Sequence, residues 1–472
     1  MDCAACGIDD VLDSGTKANA PADNDSGSSG GAGGSGGGSA TGGGSGGGLA
    51  SGGGSGGGGL ASGGGSGGGN GGGNADAGSG GAGGGGVASA AYANLWIDTN
   101  GGTCTRQSIA GAHVDAQACA SVTAAYNAAA SGDVVIIKAG TYGRQVVPSG
   151  TKTITFRNEP GARPVFGTMT VSGSNVTLIG VTVQRNDDPG AYIATLEAIG
   201  ADNTFDGVFV DTKNAPVRQG LYANGAGNVF RNGRTHNVTD EKGALITGSN
   251  ITFDNFEFYD VYVTDPLVHN ECAYVIGADG FTLRNSRFWN CATMDIMFTR
   301  GSWYNAPVWG DVLVENNVFG YSRMLNGSGW HYYGLLFNGA MAYDGAAIPN
   351  FKVRYNTFEQ AVSMDSTLVF SGASEWVGNV GGGWDCVTGM SFRKNAGSVC
   401  GAADKSVSPA SSTSSVTAGF GWVNPAGNDF HLKSTSPAIG AGDPNDHPAT
   451  DMDGVKRPHG SSVEAGAYEF VP

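Results

Sequence analysis

One short pattern recurs through the middle of this chain, and it constrains the fold more than any other feature. Each copy has a turn residue, an alternating apolar run, usually an Asn or Gly at a bend, and a large apolar residue at its end. The clearest copies are 175–183, 250–258, 280–288, 311–319 and 350–358, and weaker ones begin near Asn203 and Asn228. Such alternation predicts β-strands. Because the copies return every roughly 20 to 40 residues, they predict stacked units that share one core.

A second ladder of apolar segments lies between these copies. Its rungs are 243–247, 271–276, 294–298, 334–337 and 366–370, and they are closely followed by Gly248, Gly277, Gly301, Gly339 and Gly372. Glycine suits a sharp corner because it tolerates positive φ. Two or three short strands per unit, joined by corners, predict an all-β parallel β-helix. The alternative is an ordinary β-sandwich, which the repetition disfavours.

The N-terminal part has a different composition. Residues 27–87 consist mostly of Gly, with Ser, Ala and a few Asn, and predict a disordered tether that cannot form a core. In the preceding segment, 1–26, Ala4 to Gly7 look like the end of a bacterial lipoprotein signal, which would make Cys6 a lipid anchor. The alternative is an ordinary disordered N-terminus.

The first folded residues predict a cap. Val122, Ala125, Tyr126 and Ala129 would share one face of a helix. Laid over the open end of the coil stack, this helix would cover exposed strand edges. A β-helix capped in this way has no open edge that demands pairing, so we expect a monomer.

The charge and the cysteine content limit which partners and which cellular compartment the chain can have. The net charge is −16 and no basic stripe occurs, which disfavours binding to nucleic acid. No apolar run approaches the length of a transmembrane helix. Six of the eight cysteines are near neighbours in the folded part. The pairs Cys104/Cys119, Cys272/Cys291 and Cys386/Cys400 suit disulfides and an extracellular or outer-surface location, and the alternative is buried free thiols.

Two segments carry a resemblance to a known superfamily. Residues 132–142 resemble the first coil of bacterial right-handed parallel β-helix proteins of the pectin-lyase-like superfamily, and residues 429–443, 451–458 and 464–469 look like the tail of many secreted members. The resemblance implies a single-stranded right-handed parallel β-helix over 88–425 and a C-terminal tail or cap over 426–472. It leaves function open, because the superfamily contains lyases, hydrolases, epimerases and adhesins.

Residues 271–301 are similar in layout to the alginate lyase and chondroitinase B family. The matching elements include Glu271, Cys291, Asp295 and Arg300. In that family acidic residues hold Ca2+, and a Lys at the position of Arg300 removes a proton from the substrate. This chain departs from the pattern at Thr293, where the family has an acidic residue, at Arg300 itself, and in lacking a clear match to a later Arg.

Cleavage of a uronic-acid polymer by β-elimination needs a neutralised carboxylate and a base. The candidate Ca2+ ligands are Glu241, Glu271 and Asp295, with Glu241 expected to stack beside Glu271. The candidate catalytic residues are Arg300, His269, His331 and Tyr332. The candidate substrate-binding residues are Trp303, Arg323, Trp330 and Tyr333. The alternative is that these carboxylates and histidines only form hydrogen bonds at corners.

The leading functional prediction is therefore a secreted or surface-tethered polysaccharide lyase that acts on an acidic polysaccharide. Two alternatives stay open. The chain is a non-catalytic surface protein that binds glycans in adhesion, or it is a glycoside hydrolase with two carboxylates about 5–9 Å apart.

Overall fold

The computed structural model describes residues 91–185, 194–215, 217–264, 270–277, 279–300, 309–321, 333–342, 345–401, 404 and 419–472. They belong to a compact unit that runs from Ala88 to Pro472. Across these residues, successive coils contribute strands to three long parallel sheets, which confirms the predicted parallel β-helix. The predicted anchor and tether, 1–87, lie outside the described residues.

The first sheet has twelve strands within the described ranges. In spatial order they are Leu95–Ile97, Val134–Ile137, Ile154–Asn158, Val176–Ile179, Thr204–Asp206, Val229–Arg231, Thr252–Asp254, Thr282–Arg284, Val312–Glu315, Phe351–Arg354, Glu375–Val377 and Ser391–Arg393. Spatial order equals chain order, so each coil stacks directly on the one before it.

In most coils the second sheet follows the first after a two-residue corner, whose first residue is in the left-handed region. Its strands, in chain order, are Val165–Phe166, Thr182–Gln184, Phe209–Asp211, Arg234–His236, Val238–Thr239, Glu257–Tyr262, Arg287–Cys291, Val318–Phe319, Thr357–Phe358 and Val380–Gly381. This first residue is often an Asn, such as Asn255 and Asn285, both with φ of 52°. Asn tolerates this conformation better than most residues do. Each repeat copy is therefore two strands separated by a corner.

The third sheet contains most of the second ladder. Its strands are Gln145–Val147, Met169–Val171, Leu196–Ala198, Gln219–Ala223, Lys242–Ile246, Glu271–Ile276, Met294–Thr299, Tyr333–Phe337 and Val362–Met364. Four of the five predicted rungs are confirmed. The rung at 366–370 is wrong, because the strand that pairs with Tyr333–Phe337 is Val362–Met364. Phe370–Ser371 pairs instead with Ile348–Pro349.

The glycine corners were only partly predicted. Gly277 and Gly372 have positive φ, 54° and 63°. Gly248 does not, and glycine is needed there for a different reason: a Cβ would lie 2.5 Å from the carbonyl oxygen of Asn224 on the previous coil.

Columns of stacked side chains fill the interior. The rings of Phe258, Phe288, Phe319 and Phe358 stack on successive coils with centroids 4.5, 5.0 and 4.9 Å apart. A column of buried asparagines follows the corner between the first two sheets. Their carboxamides hydrogen-bond to one another and to the backbone, which satisfies polar groups inside an apolar core.

The helix α1, Val122–Ala128, begins where the sequence predicts it. The Ser121 hydroxyl caps it by accepting a hydrogen bond from the amide of Ala124 at 3.1 Å. Val122, Ala125, Tyr126 and Ala129 are buried, as predicted. The closure of the coil stack by this helix stays a prediction. Short 3-10 helices span Asp115–Gln117, Gly339–Ala342 and Pro425–Gly427.

The three predicted disulfides are formed. Cys104–Cys119, Cys272–Cys291 and Cys386–Cys400 have S–S distances of 2.04, 2.08 and 1.96 Å. The free-thiol alternative is therefore wrong for these six cysteines. In the described part of the chain, no helix is long and apolar enough to cross a membrane.

The C-terminal segment packs against the side of the coils. The strands Trp422–Asn424 and Asp429–Leu432 form an antiparallel pair. Phe430 and Ala467 join Val318 and Val380 of the second sheet in a separate apolar cluster. The segment from 419 onward therefore covers the outer surface of several late coils.

Candidate functional site

The structure describes five of the predicted site residues: Glu241, Glu271, Asp295, Arg300 and Tyr333. Six others lie outside the described residues: His269, Trp303, Arg323, Trp330, His331 and Tyr332. All five described residues lie in or beside consecutive strands of the third sheet, so the sequence-based location is a single region.

The register of the third sheet places three reactive side chains in one column. Ala244 pairs with Ala273, so Lys242 aligns with Glu271 two residues earlier on each strand. Glu271 then pairs with Met294, which pairs with Tyr333. Adjacent strands lie about 4.8 Å apart, so Lys242 and Glu271 are on neighbouring coils and Tyr333 is two coils beyond Glu271. The expectation that Glu241 stacks beside Glu271 is wrong by one residue.

The Lys242 ammonium reaches the outer face of the sheet, 5.7 Å from the ring centroid of Tyr274. Tyr274 is partly exposed and alternates with the core residues Ala273 and Val275. Strict alternation would turn Lys242 inward with Ala244, but the strands are irregular at this end. A Cβ on the next residue, Gly243, would face inward, 3.0 Å from the core side chain of Val261.

Asp295 belongs to the adjacent column. It is fully buried and lies between Met294 and Ile296, so it aligns with Gly334 on the next coil. A Cβ on Gly334 would lie 3.4 Å from atoms of Phe319 and Phe358 and 3.8 Å from the Asp295 carboxylate oxygen Oδ2. The Asp295 carboxylate therefore borders the interior phenylalanine column, whereas Glu271 belongs to the column of Lys242.

The predicted Ca2+ ligands do not form a three-residue cluster in the described region. Among the described residues, the one group that brings three potential metal-ligand atoms within 4.8 Å of one another is Asp98, His113 and Asp115. Carboxylates are suitable ligands for Ca2+, but the register separates Glu271 from Asp295 into different columns. A calcium site at Glu241, Glu271 and Asp295 stays a prediction.

Arg300 follows directly after the strand Met294–Thr299. Met294 is opposite Glu271, and six residues of extended chain place Arg300 about 20 Å further along the strand. A glycan that lay along this strand would therefore present different sugar rings to Glu271 and to Arg300. The predicted catalytic role of Arg300 stays a prediction.

Tyr274 is the residue of this region that the sequence-based prediction missed. It was included in a rung but not recognised as outward-facing. The signal was its place between two core residues of the same strand, since alternate residues of a strand point to opposite faces. Its ring forms part of the surface beside Lys242.

The comparison with protein-family models supports the fold. A family model described as a right-handed β-helix region matches residues 198–391, in agreement with the resemblance noted from the sequence. Among solved structures, the chain is similar to the pectate lyase Pel9A, with 16% identity, a TM-score of 0.43, and coverage of 80% of this chain and 96% of that chain. It is also similar to a rhamnogalacturonan lyase, with 14% identity, a TM-score of 0.39, and coverage of 66% of this chain and 84% of that chain.

A third similar structure is the alginate lyase AlyGC, with 12% identity, a TM-score of 0.32, and coverage of 75% of this chain and 58% of that chain. No curated protein matches the chain. These similarities leave the reaction and the substrate open.

Proposed function

We propose that this chain is an extracellular polysaccharide lyase that cleaves a uronic-acid-containing polysaccharide by β-elimination. The observation that supports the proposal is the column on the third sheet in which Lys242, Glu271 and Tyr333 occupy aligned positions on nearby coils. This column brings together the partly exposed Lys242 and Tyr333 with the fully buried carboxyl group of Glu271. The three disulfides agree with an oxidising compartment.

Each residue has a role in this proposal. The side chains of Lys242 and Tyr333 start three strands, about 14 Å, apart, and both lean over the two strands between them to reach one uronate. The Lys242 ammonium pairs with the uronate carboxylate and makes the adjacent C–H more acidic. The Tyr333 side-chain oxygen accepts that proton, the electron pair of the C–H bond forms the new C=C bond, the C–O bond to the leaving group breaks, and the leaving oxygen takes a proton from water. Glu271 aligns with Lys242 on the neighbouring coil and orients it as a positioning residue. Ca2+ held by Glu271, if it binds, would supply further positive charge at the carboxylate, and no step depends on it.

One observation favours a non-catalytic glycan-binding protein as the second candidate. Asp295, which the family resemblance assigns to metal binding, borders the interior phenylalanine column and is fully buried. A chain whose carboxylates hold no metal would still present the outward residues of its third sheet to a glycan.

The test incubates the full chain with each of a panel of acidic polysaccharides and measures absorbance in the unsaturated-uronate band. Each reaction is run once with Ca2+ and once with a chelator. We expect a rise with one polymer and a loss of about 100-fold or more in Tyr333→Phe, because a positioned acid or base contributes 10²–10⁴ in rate. Lys242→Ala is expected to lose activity as well. Lys352→Ala is the matched control, since Lys352 occupies a partly exposed strand position on the first sheet.

Two results would contradict the proposal. A flat trace across the panel, with reducing ends unchanged, would favour the non-catalytic candidate. Full activity in both Lys242→Ala and Tyr333→Phe would establish a lyase but place its site elsewhere.

A further inference from the structure

A second column of side chains occupies the outer face of the second sheet, away from the column of Lys242. Asp211 pairs with His236, and Tyr259 pairs with Trp289. The rings of His236 and Tyr259 stack with centroids 4.8 Å apart, and those of Tyr259 and Trp289 with centroids 4.3 Å apart. All three rings are partly exposed. We call His236, Tyr259 and Trp289 the ring column.

The stacking determines what the ring column presents to solvent. Because the rings are nearly parallel, with interplanar angles of 17° and 8°, their faces cover one another and their edges point outward. Aromatic edges carry partial positive charge. The three rings carry N–H and O–H groups on their edges, which suit hydrogen bonds to hydroxyl or carboxylate oxygens.

The ring column ends beside a glycine. Phe288 pairs with Phe319, so Gly320 is aligned with Trp289 and no side chain of that coil covers the far face of the indole. A Cβ on Gly320 would lie 3.5 Å from the Asn428 side-chain oxygen and 3.6 Å from the Phe430 ring of the C-terminal segment. That segment therefore borders this end of the ring column, and a ligand would contact the ring edges.

At the other end, Asp211 is a fixed acceptor. It receives hydrogen bonds from the side-chain amides of Gln184 and Asn237, each at 2.9 Å, and from the amide of Lys213 at 2.9 Å. Burial alone would raise the pKa of Asp211, but these hydrogen bonds outweigh it and lower the pKa, so Asp211 is ionised at neutral pH. Burial lowers the pKa of His236, which favours its neutral ring.

Arginines and an aromatic ring flank the ring column. The guanidinium groups of Arg163 and Arg234 lie 3.8 and 4.0 Å from the ring centroid of Phe209, one strand position from Val210 and two from Asp211. Arginine stacked on an aromatic ring keeps its N–H edge available in a fixed orientation.

We propose that the ring column is a glycan-binding site, with the polysaccharide lying parallel to the helix axis across successive coils. A side-chain array that repeats at every coil suits a ligand that itself repeats. Rings alternating with hydrogen-bonding groups suit sugars, which are apolar on one side and polar at the rim. The ring column would bind the polymer on the second sheet, whereas the proposed lyase site is on the third sheet. The proposal therefore does not depend on lyase activity.

The structural alternative is that the rings stack only to stabilise the sheet, as cross-strand aromatic pairs do. Binding distinguishes the two roles. The experiment measures binding of the full chain to immobilised polygalacturonate, alginate and a neutral β-glucan, and it compares wild type with Tyr259→Ala and Trp289→Ala. Tyr92→Ala is the control, because Tyr92 is 56% exposed on the first described coil.

We expect wild type to bind at least one polymer and Trp289→Ala, which loses one aromatic contact, to bind it about tenfold more weakly, a difference of about 1.4 kcal/mol. Trp289→Phe keeps a ring and should retain most of the affinity. Tyr92→Ala should bind as wild type does. Thermal unfolding of each variant shows whether weaker binding arises from misfolding.

The proposal is overturned if wild type binds none of the polymers, or if folded Tyr259→Ala and Trp289→Ala variants bind as tightly as wild type. Binding lost equally in Lys242→Ala and kept in Trp289→Ala would also overturn it and place the glycan on the third sheet. Failure of the lyase assay alone leaves this test intact, because binding is measured without turnover.

Discussion

At the scale of the residue, ionic contacts attach the C-terminal segment to itself and to the coils. His431 lies between two carboxylates, with ring nitrogens 2.6 Å from Asp429 and 2.7 Å from Asp453. Asp453 also lies 3.7 Å from Arg287 of the second sheet. The hydrogen bond to Asp453, followed by that to Asp429, raises the pKa of His431 to about 9.

This arrangement predicts a pH-dependent contribution to stability. The folded-state pKa lies above the unfolded value of about 6.5, so the contribution is fully present below pH 6.5 and is lost as the pH rises through 9. His431→Gln should lower the free energy of unfolding at pH 6 by at most about 1 kcal/mol, because His431 is 44% exposed and solvent screens the pair. Urea unfolding at pH 6 and pH 10 measures the difference.

Asp429→Asn serves as a partner control and should show a smaller loss in the same direction at pH 6. An equal effect of His431→Gln at both pH values would contradict the ionic explanation and indicate a packing role against Tyr468, whose ring lies 4.1 Å away.

At the scale of the element, the asparagine column joins the late coils. The side-chain oxygen of Asn356 accepts from the amide and the carboxamide of Asn317, at 3.0 and 2.9 Å. Its own carboxamide donates to the Val314 carbonyl at 2.9 Å and to Asn379 at 3.0 Å. The side chain is fully buried, so every one of these bonds replaces a bond to water.

Asn356→Ala should therefore lower the free energy of unfolding by about 2–3 kcal/mol, because it leaves buried partners on two coils unsatisfied. Thr239→Ala is the control: its hydroxyl donates to Asn214 at an exposed position, and its loss should cost less than about 0.5 kcal/mol. Denaturant unfolding measures both. A cost for Asn356→Ala as small as that of the control would show that water replaces the lost carboxamide.

The strands of the first sheet were predictable because each repeat copy carries an alternating apolar run and a corner Asn or Gly. The division of each copy into two strands was not predictable, because the alternation of apolar residues continues across a two-residue corner such as 255–256. The short strand Val362–Met364 was missed since three residues carry almost no periodicity. The apolar run 366–370 took its place in the prediction.

The candidate site was predictable as a region but not as an arrangement. Glu271 and Tyr333 were named from residue type, and both lie at the start of third-sheet strands. Two features of the arrangement could not be predicted: the alignment of Lys242, and not Glu241, with Glu271, and the inward direction of Asp295. Both arise because these strands are irregular at their first residues, and no sequence pattern indicates that irregularity. The ring column was also missed, because its members lie more than 20 residues apart in sequence and meet only through coil stacking.

At the scale of the whole molecule, one buried cation orders the part of the C-terminal segment that hydrogen-bonds to the coils. Arg457 donates from Nη1 to Glu469 Oε1 at 2.8 Å and from Nη2 to the Gly466 carbonyl at 2.7 Å, and both Arg457 and Glu469 side chains are 0% exposed. The Gly466 amide donates to the Gly378 carbonyl, and the Ala467 amide to the Thr357 hydroxyl at 3.0 Å. Arg457 therefore fixes the backbone around Gly466 and Ala467, which hydrogen-bonds to the coils.

Removing this cation should release the segment while the coil stack stays folded. Arg457→Ala leaves Glu469 buried without its partner, a loss of about 3–5 kcal/mol that falls on contacts of 419–472 and not on the parallel ladders. We expect calorimetry to resolve two transitions in the variant, and a hydrophobic dye to bind to the uncovered cluster around Val318 and Val380 at temperatures where the ladders remain intact. Lys456→Ala, an adjacent exposed cation, should melt as wild type does. A single cooperative transition at a lower temperature in Arg457→Ala would instead mean that the coils and the segment unfold as one unit, so that the late coils need this cover to stay folded.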